Sequence, residues 1–323
     1  MKLLSIIIPT IGRIDYLKLT LDAFREQVIR NSEEIEFLVV DNGSSDATQE
    51  TIGGNHEYSW LSYHRYDNQV FYADSIQRAV KLSSGKFVML FGDDDIPLPT
   101  AVESLLGAIH RHPDVGLIHT NVLIGKDYGD MKFQQLQLEC NVIGEAESEH
   151  DIKELLYKHP MSMGFITTVV FQRKVWDNGL KNCDPTGKGY AHLFIWFHGI
   201  GDNKCLYYPY PLALGRVPYS KDYIDKWPKY FFTEIPSLMK EIDSIGVTDR
   251  LYEVWTNSPD WKSFPKFCNT LLMASAFKER YKPICKEINK YQSSAFRKML
   301  TYLVIYLAPK GLYGAIRKII YKQ

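Results

Sequence analysis

The sequence predicts an α/β fold: a mostly parallel sheet flanked by helices, followed by a helical C-terminal region. Two observations carry that expectation. Short apolar runs alternate with segments of helical period through residues 1–125, the pattern of strand–helix–strand units. Two polar turns, "DNGSSD" and "GDDD", each follow an apolar run directly. Both then lie at carboxyl ends of strands, where open α/β sheets bind ligands.

Each element has its own signal. "LLSIII" (3–8) reads as a buried strand broken at Pro9 to Gly12. Its resemblance to a leader peptide is superficial, because the apolar run is short, Pro9 ends it and no small-residue cleavage site follows. Leu17, Leu21, Phe24 and Val28 recur at helical spacing over 14–29. "EIEFLVV" (34–40) is a second strand, and Ser45 or Asp46 can cap a short helix toward Thr51. "WLSYHRY" (60–66) alternates as a third strand, 71–83 is helical, and "KFVMLF" (86–91) is a fourth strand. A helix runs from Pro99 to Arg111, with proline near its start where a missing N–H costs nothing. "VGLIHTNVLI" (115–124) is a fifth strand. Further on we expect strands near 131–143, 165–171 and 204–210, a helix near 190–200, and helices over 229–244, 259–279, 282–291 and 294–321. The expected organisation is 1–125 and 126–222 as two halves of one α/β domain, then 223–323 as a helical region.

Composition narrows the function classes. The formal net charge is zero, so no global field favours nucleic acid. Cys140, Cys183, Cys205, Cys268 and Cys285 are odd in number and widely spaced without a CxxC pair. That argues against a disulfide framework or a zinc site and fits reduced thiols in a cytosolic protein. No run approaches the roughly 18–20 apolar residues of a membrane span.

The stretch "KFVMLFGDDDIPLP" (86–99) carries the sharpest chemical signal. Adjacent Asp93, Asp94 and Asp95 repel one another, whereas a helix cap needs only one Asp. Carboxylates suit hard cations such as Mg²⁺ or Mn²⁺, which bind one or two of them together with substrate phosphates. Asp41 follows its strand directly and can accept hydrogen bonds from a base or a ribose; the rest of "DNGSSD" is explained as a turn and cap. Arg13 can pair with a phosphate or with an acidic residue of the site.

"SIIIPTIGRIDYL", "FLVVDNGSSDAT" and "GKFVMLFGDDDIPLPTAVESL" together resemble glycosyltransferase family 2 in order and spacing. "NQVFYADSIQRAVKLSSGKFVMLFGDDD" resembles its abequosyltransferase-like branch, which includes O-antigen and capsule transferases. The resemblance is close over about 1–125 and loose over 160–200. It implies the GT-A fold, a nucleotide-sugar donor, a divalent metal and inversion at the anomeric carbon. It implies that Pro9, Thr10 and Arg13 flank the nucleotide, that Asp41 contacts the base, that Asp74 lies near the donor, and that Asp93 also touches the donor. The metal ligands fall on Asp93, Asp94 and Asp95, with Asp93 or Asp94 as the main one. Family members often carry a further Asp where this chain has Gly92, and an ED pair in the second half that this chain lacks. The corresponding stretch, "NCDPTGKGYAHLFIWFHGI", offers Asp184 and His192 as catalytic candidates, His192 as base or as metal ligand.

The loop "GRVPYSKDYIDKWP" (215–228) is a candidate lid. From Ile288 to Gln323 there are seven Lys or Arg and no Asp or Glu, on apolar positions at helical spacing. Such a helix suits an anionic membrane surface, beside a lipid-linked glycan acceptor on the cytoplasmic face. The expected activity is therefore a metal-dependent sugar transfer in surface-polysaccharide assembly. A sugar nucleotidyltransferase would need a Gly-rich basic loop after the first strand, and "PTIGRIDYL" has one Gly. A non-catalytic scaffold of the same fold is the other alternative.

Overall fold

The computed structural model describes residues 2–127, 133–138, 146–158, 162–217, 234–256 and 295–307. The chain divides into two compact units, Met1–Tyr219 and Ser220–Gln323. The sheet of the first unit is ordered β3-β2-β1-β4-β9-β6-β10-β5. Its parallel part is built around β1 (Leu4–Thr10), the stretch with the leader-like start, buried at six of its seven positions. Its apolar residues cover both faces, as a strand with helices on each side requires.

Around β1 the pairing is parallel. β2 (Ile35–Asp41) runs level with it, from Leu4 beside Ile35 to Thr10 beside Asp41. β4 (Phe87–Leu90) flanks its other side, and β3 (Ser62–Arg65) extends the sheet beyond β2. The three turns after β1, β2 and β4 therefore share one edge. The helices α1 (Ile14–Arg30), α2 (Thr48–Ile52), α3 (Tyr72–Lys81) and α4 (Ala101–Arg111) connect these strands. α1 buries Leu17, Leu21, Phe24 and Val28, the stripe its sequence spacing predicts. Phe24 packs edge-on against Phe37 and Phe91, with ring centres 4.9 and 4.8 Å apart.

Beyond β4 the sheet is mixed rather than mostly parallel. β6 (Leu117–Asp127) and β10 (Cys205–Val217) are parallel to each other. β9 (Val169–Gln172) runs antiparallel between β4 and β6. The residues before β9 lie at the carboxyl end of β4, where Gly92 N donates to Thr167 Oγ1, so β9 enters the sheet from that edge and runs back. Three short or outlying strands, β5 (Ile96–Pro97), β7 (Phe133–Leu138) and β8 (Ser148–His150), pair antiparallel with β10, β6 and β10.

α5 (Ile152–Lys158) and α6 (Arg173–Asn182) carry no strong sequence signal; α7 (Ala191–Gly199) falls where a helix is expected. Gly179, in the middle of α6, argues against a helix by propensity. Its purpose is contact: a Cβ there would lie 1.9 Å from the Ile195 carbonyl oxygen, and one on Gly199 would lie 1.8 Å from that of Val175. The two helices touch backbone to backbone, with Trp176 stacked on Phe171 at 5.0 Å. In the second unit α8 (Ile235–Ser244) and α9 (Leu251–Thr256) are joined by Asp243, whose carboxylate accepts from Leu251 N and Tyr252 N at 2.8 and 3.0 Å. α10 (Ala295–Leu307) completes the described helices. The helices expected at 259–279 and 282–291, and the loop beyond Val217, lie outside the described residues. Cys183 and Cys205 are free thiols.

The helix contact gives the first prediction. Gly179→Ala should destabilise the protein by about 3 kcal/mol, as forced overpacking against backbone does, read as a lowered urea midpoint. An unchanged midpoint would mean that α6 and α7 are not in backbone contact.

Candidate active site

The acidic turn after β4 is held from five directions. Asp93 Oδ2 accepts from Thr10 Oγ1 at 2.8 Å, and its Oδ1 from Arg13 Nη1 at 3.1 Å. The same Arg13 nitrogen reaches Asp94 Oδ2 at 3.0 Å. Asp95 turns inward: its Oδ2 accepts from Thr167 Oγ1 at 2.5 Å and its Oδ1 from Arg216 N at 2.9 Å. The Thr20 hydroxyl, on α1, lies 3.1 and 2.7 Å from the carbonyl oxygens of Asp93 and Asp95. Arg216 Nε donates to the Asp94 carbonyl at 3.0 Å, and its guanidinium lies over the Tyr16 ring.

Gly92 is explained by this packing. A Cβ there would sit 2.6 Å from Asp95 Oδ2, an oxygen already fixed by Thr167. A side chain at this position is thus excluded by the inward Asp95.

These groups are buried, and charge is costly there. Burial pushes Asp95 up to about 8, and neighbouring Asp94 adds to it. Burial likewise raises Asp93 to about 6 despite the Arg13 guanidinium, and raises Asp94. A single Arg13 nitrogen serves both Asp93 and Asp94, so the pair keeps acceptor capacity for a further cation. The donor set fits one: Asp93 and Asp94 offer hard oxygens that converge on a common point, marked by Arg13 Nη1. Among the described residues no group of three or more His, Cys, Asp or Glu is placed to hold a metal ion. Two carboxylates with remaining positions for phosphate and water is the arrangement Mg²⁺ typically takes.

A second carboxylate anchors the neighbouring loop. Asp41 is fully buried. Its Oδ1 accepts from Ser44 N and Ser44 Oγ at 2.8 and 2.6 Å, and its Oδ2 from Tyr63 OH and Arg65 Nη1 at 2.6 and 2.7 Å. Burial alone would raise its pKa, but these bonds outweigh burial and hold it below the usual carboxylate range. Asp46 then serves two helices. It accepts from Ile14 N at 3.1 Å, at the start of α1, and from Thr48 N at 3.1 Å, at the start of α2. Ser44 Oγ accepts from Gly12 N at 2.9 Å. The "DNGSSD" loop therefore fixes the backbone on both sides of Arg13.

The remaining expected site residues lie apart from these contacts. Pro9 is half-buried in β1, one residue before Thr10. Asp74 lines a cleft of about 500 Å³ between α3 and α6 with Gln77, Arg78, Lys81 and Asp177, and none of Thr10, Arg13, Asp41 or Asp93 to Asp95 lines it. His192 is buried on α7, with Nδ1 3.0 Å from Tyr72 OH and Nε2 3.3 Å from the Gly164 carbonyl oxygen. Burial lowers its pKa to about 4. Asp184 is exposed and accepts from Thr186 N at 3.0 Å in its own turn. Sequence reasoning missed Thr20, Thr167 and Arg216. Arg216 alone had a signal, as a cation in the loop already marked as a lid.

A central parallel half-sheet, an acidic turn at its carboxyl edge and an antiparallel return strand define a GT-A-like fold. The chain belongs to glycosyl transferase family 2, whose model matches residues 5–178. An uncharacterized glycosyltransferase of Rickettsia prowazekii is 25% identical over 205 residues, covering 60% of this chain and 58% of that protein, a little over half its length. S. aureus TarS 1–349 in complex with UDP-GlcNAc superposes with a TM-score of 0.59 at 14% identity, covering 100% of this chain and 93% of that one. Mannosyltransferase PcManGT from Pyrobaculum calidifontis, in complex with GDP-Man and Mn²⁺, gives 0.53 at 15% identity, covering 99% and 88%. At these identities the structural likeness is one of fold.

His192 gives a pH prediction. The unfolded chain binds a proton near 6.5 that the folded ring refuses until about 4. The unfolded state then holds more protons between those values, so stability falls as pH drops through that window, by on the order of 3 kcal/mol. Urea unfolding across the window should show a shallower pH slope for His192→Gln than for wild type. Equal slopes would mean the ring is not held neutral.

Proposed function

We propose that the chain transfers a sugar from a nucleotide-sugar donor to a glycan acceptor, with inversion at the anomeric carbon. The observation that carries this is the convergence of Thr10 and Arg13, from the end of β1, on Asp93 and Asp94, from the end of β4, in a chain of this family. Asp94 and Asp93 would hold Mn²⁺ or Mg²⁺, with Asp95 supporting the turn through Thr167 and Arg216. A divalent ion held there supplies neutralisation of charge developing on the diphosphate leaving group. Arg13 offers a guanidinium suited to the same diphosphate, and Pro9 and Thr10 border the nucleotide.

Asp41 shapes the nucleoside side of the site. Its four bonds use the lone-pair positions of the carboxylate, so it acts on the base by holding Tyr63, Arg65 and the 42–46 loop in place. Asp74 enters the reading through its place in the first turn of α3. For the proton of the acceptor hydroxyl, His192 is poorly suited because both ring nitrogens are engaged; it positions Tyr72. Asp184, ionised and exposed, is the candidate that remains.

We place the acceptor at a membrane surface, as a lipid-linked glycan of bacterial surface-polysaccharide assembly, with the protein peripheral on the cytoplasmic face. Among the described residues no helix is long and apolar enough to cross a membrane. α10 instead exposes Phe296, Met299, Tyr302, Leu303 and Leu307 while it buries Thr301. Exposed apolar side chains on a helix within a basic stretch lacking acids favour an anionic lipid surface. Truncation after Tyr291 should abolish cosedimentation with vesicles containing anionic lipid, and unchanged binding would sink this assignment.

The donor reading is tested by thermal melting with UDP, dTDP, CDP and GDP, each with and without Mn²⁺ or Mg²⁺. One nucleotide together with metal should raise the melting temperature by about 3 °C or more. Asp94→Ala should lose the metal-dependent part of that shift. No stabilisation of wild type by any nucleotide would overturn the proposal.

A further inference from the structure

Arg13 occupies the point on which the Asp93 and Asp94 carboxylates converge. Its Nη1 lies 3.1 Å from Asp93 Oδ1 and 3.0 Å from Asp94 Oδ2. The side chains of Asp93 and Asp94 are 9% and 13% exposed, whereas that of Arg13 is 38% exposed. Arg13 is thus the more exposed member of each ion pair. The backbone beneath it is fixed: Gly12 N is bonded to Ser44 Oγ, and Ile14 N to Asp46 Oδ2. Arg13 can therefore leave the carboxylates by a side-chain swing without moving the loop. A divalent cation and a guanidinium repel each other, so they compete for the point between Asp93 Oδ1 and Asp94 Oδ2 that Nη1 occupies. Something must hold the displaced guanidinium, and a diphosphate is the partner its planar fork matches best.

We propose that Arg13 is an internal counter-ion that excludes the divalent cation until a nucleoside diphosphate group draws the guanidinium away. Cation and donor then bind as a coupled pair, each raising the other's affinity by the same factor. This rests on the assignment of Asp93 and Asp94 to the metal and adds a role for Arg13 that the assignment does not require. It also gives the strand-end arginine a function in the absence of donor, when Asp93 and Asp94 would otherwise lie side by side without its guanidinium.

The test is Mn²⁺ binding to the full chain, by calorimetry and by the Mn²⁺ paramagnetic resonance signal, without nucleotide and with UDP, dTDP, CDP or GDP. Wild type should bind Mn²⁺ at least about 10-fold more tightly when the fitting nucleotide is present. Arg13→Met should bind Mn²⁺ alone about 10-fold more tightly than wild type, with the nucleotide then adding little. Arg13→Lys, which keeps a cation but not the planar fork, should exclude Mn²⁺ alone as wild type does and gain less from the nucleotide. Circular dichroism and melting confirm that each variant is folded. If folded Arg13→Met and wild type bind Mn²⁺ alone equally, the exclusion by Arg13 is overturned and the metal site stands. If neither binds Mn²⁺ under any condition, both are overturned.

Discussion

The buried carboxylate of Asp95 is the joint on which the site depends. It sits between three strands, taking one hydrogen bond from Thr167, ahead of β9, and one from the backbone of Arg216, on β10. It belongs itself to the turn after β4. A buried carboxyl group without partners would cost several kcal/mol, so this fold must bring both partners to it. Doing so pins the antiparallel return strand and the end of β10 to the acidic turn. The short β5–β10 pairing, Ile96 with Leu214 and Pro97 with Ala213, closes the same junction. Asp95 thereby orients Asp93 and Asp94 toward the open edge while turning its own oxygens away from it.

The parallel half of the fold was legible because it is written locally. The strands that became β1, β2 and β4 are short apolar runs buried on both faces, and the stripe of α1 repeats at the helical period. The polar turns that follow them identified one sheet edge. The other half was less legible because its signals are non-local. Thr167 and Arg216 lie 72 and 121 residues from Asp95, and nothing in their own neighbourhoods announces the contact. β9 looks like any short apolar strand; its direction depends on where the preceding chain enters the sheet. α6 was hidden by Gly179, which propensity reads as a breaker and packing uses for close approach.

The same distinction separates the two acidic motifs. Asp41 looks from sequence like a free strand-end carboxylate poised for a base. In the folded chain Ser44, Tyr63 and Arg65 consume its acceptor capacity. Its effect on the site runs through the loop it holds: Asp41 fixes Ser44, Ser44 receives Gly12 N, and Asp46 receives Ile14 N. The loop after β2 is in this way the support for the loop after β1, and so for Arg13.

This chain of contacts explains why adjacent carboxylates are tolerated after β4. They are not equivalent. Asp95 is satisfied by groups that never leave it, and Asp93 is half satisfied by the Thr10 hydroxyl, which belongs to the central strand. Asp93 and Asp94 share the half-exposed Arg13 side chain as counter-charge, with Arg216 a further cation near Asp94. Repulsion within the triplet is thus relieved permanently at one end and reversibly at the other. The proposed exchange of cation and substrate would need that asymmetry, because a cluster saturated throughout would have no reason to bind a metal. A cluster unsupported throughout would not stay folded around an empty edge.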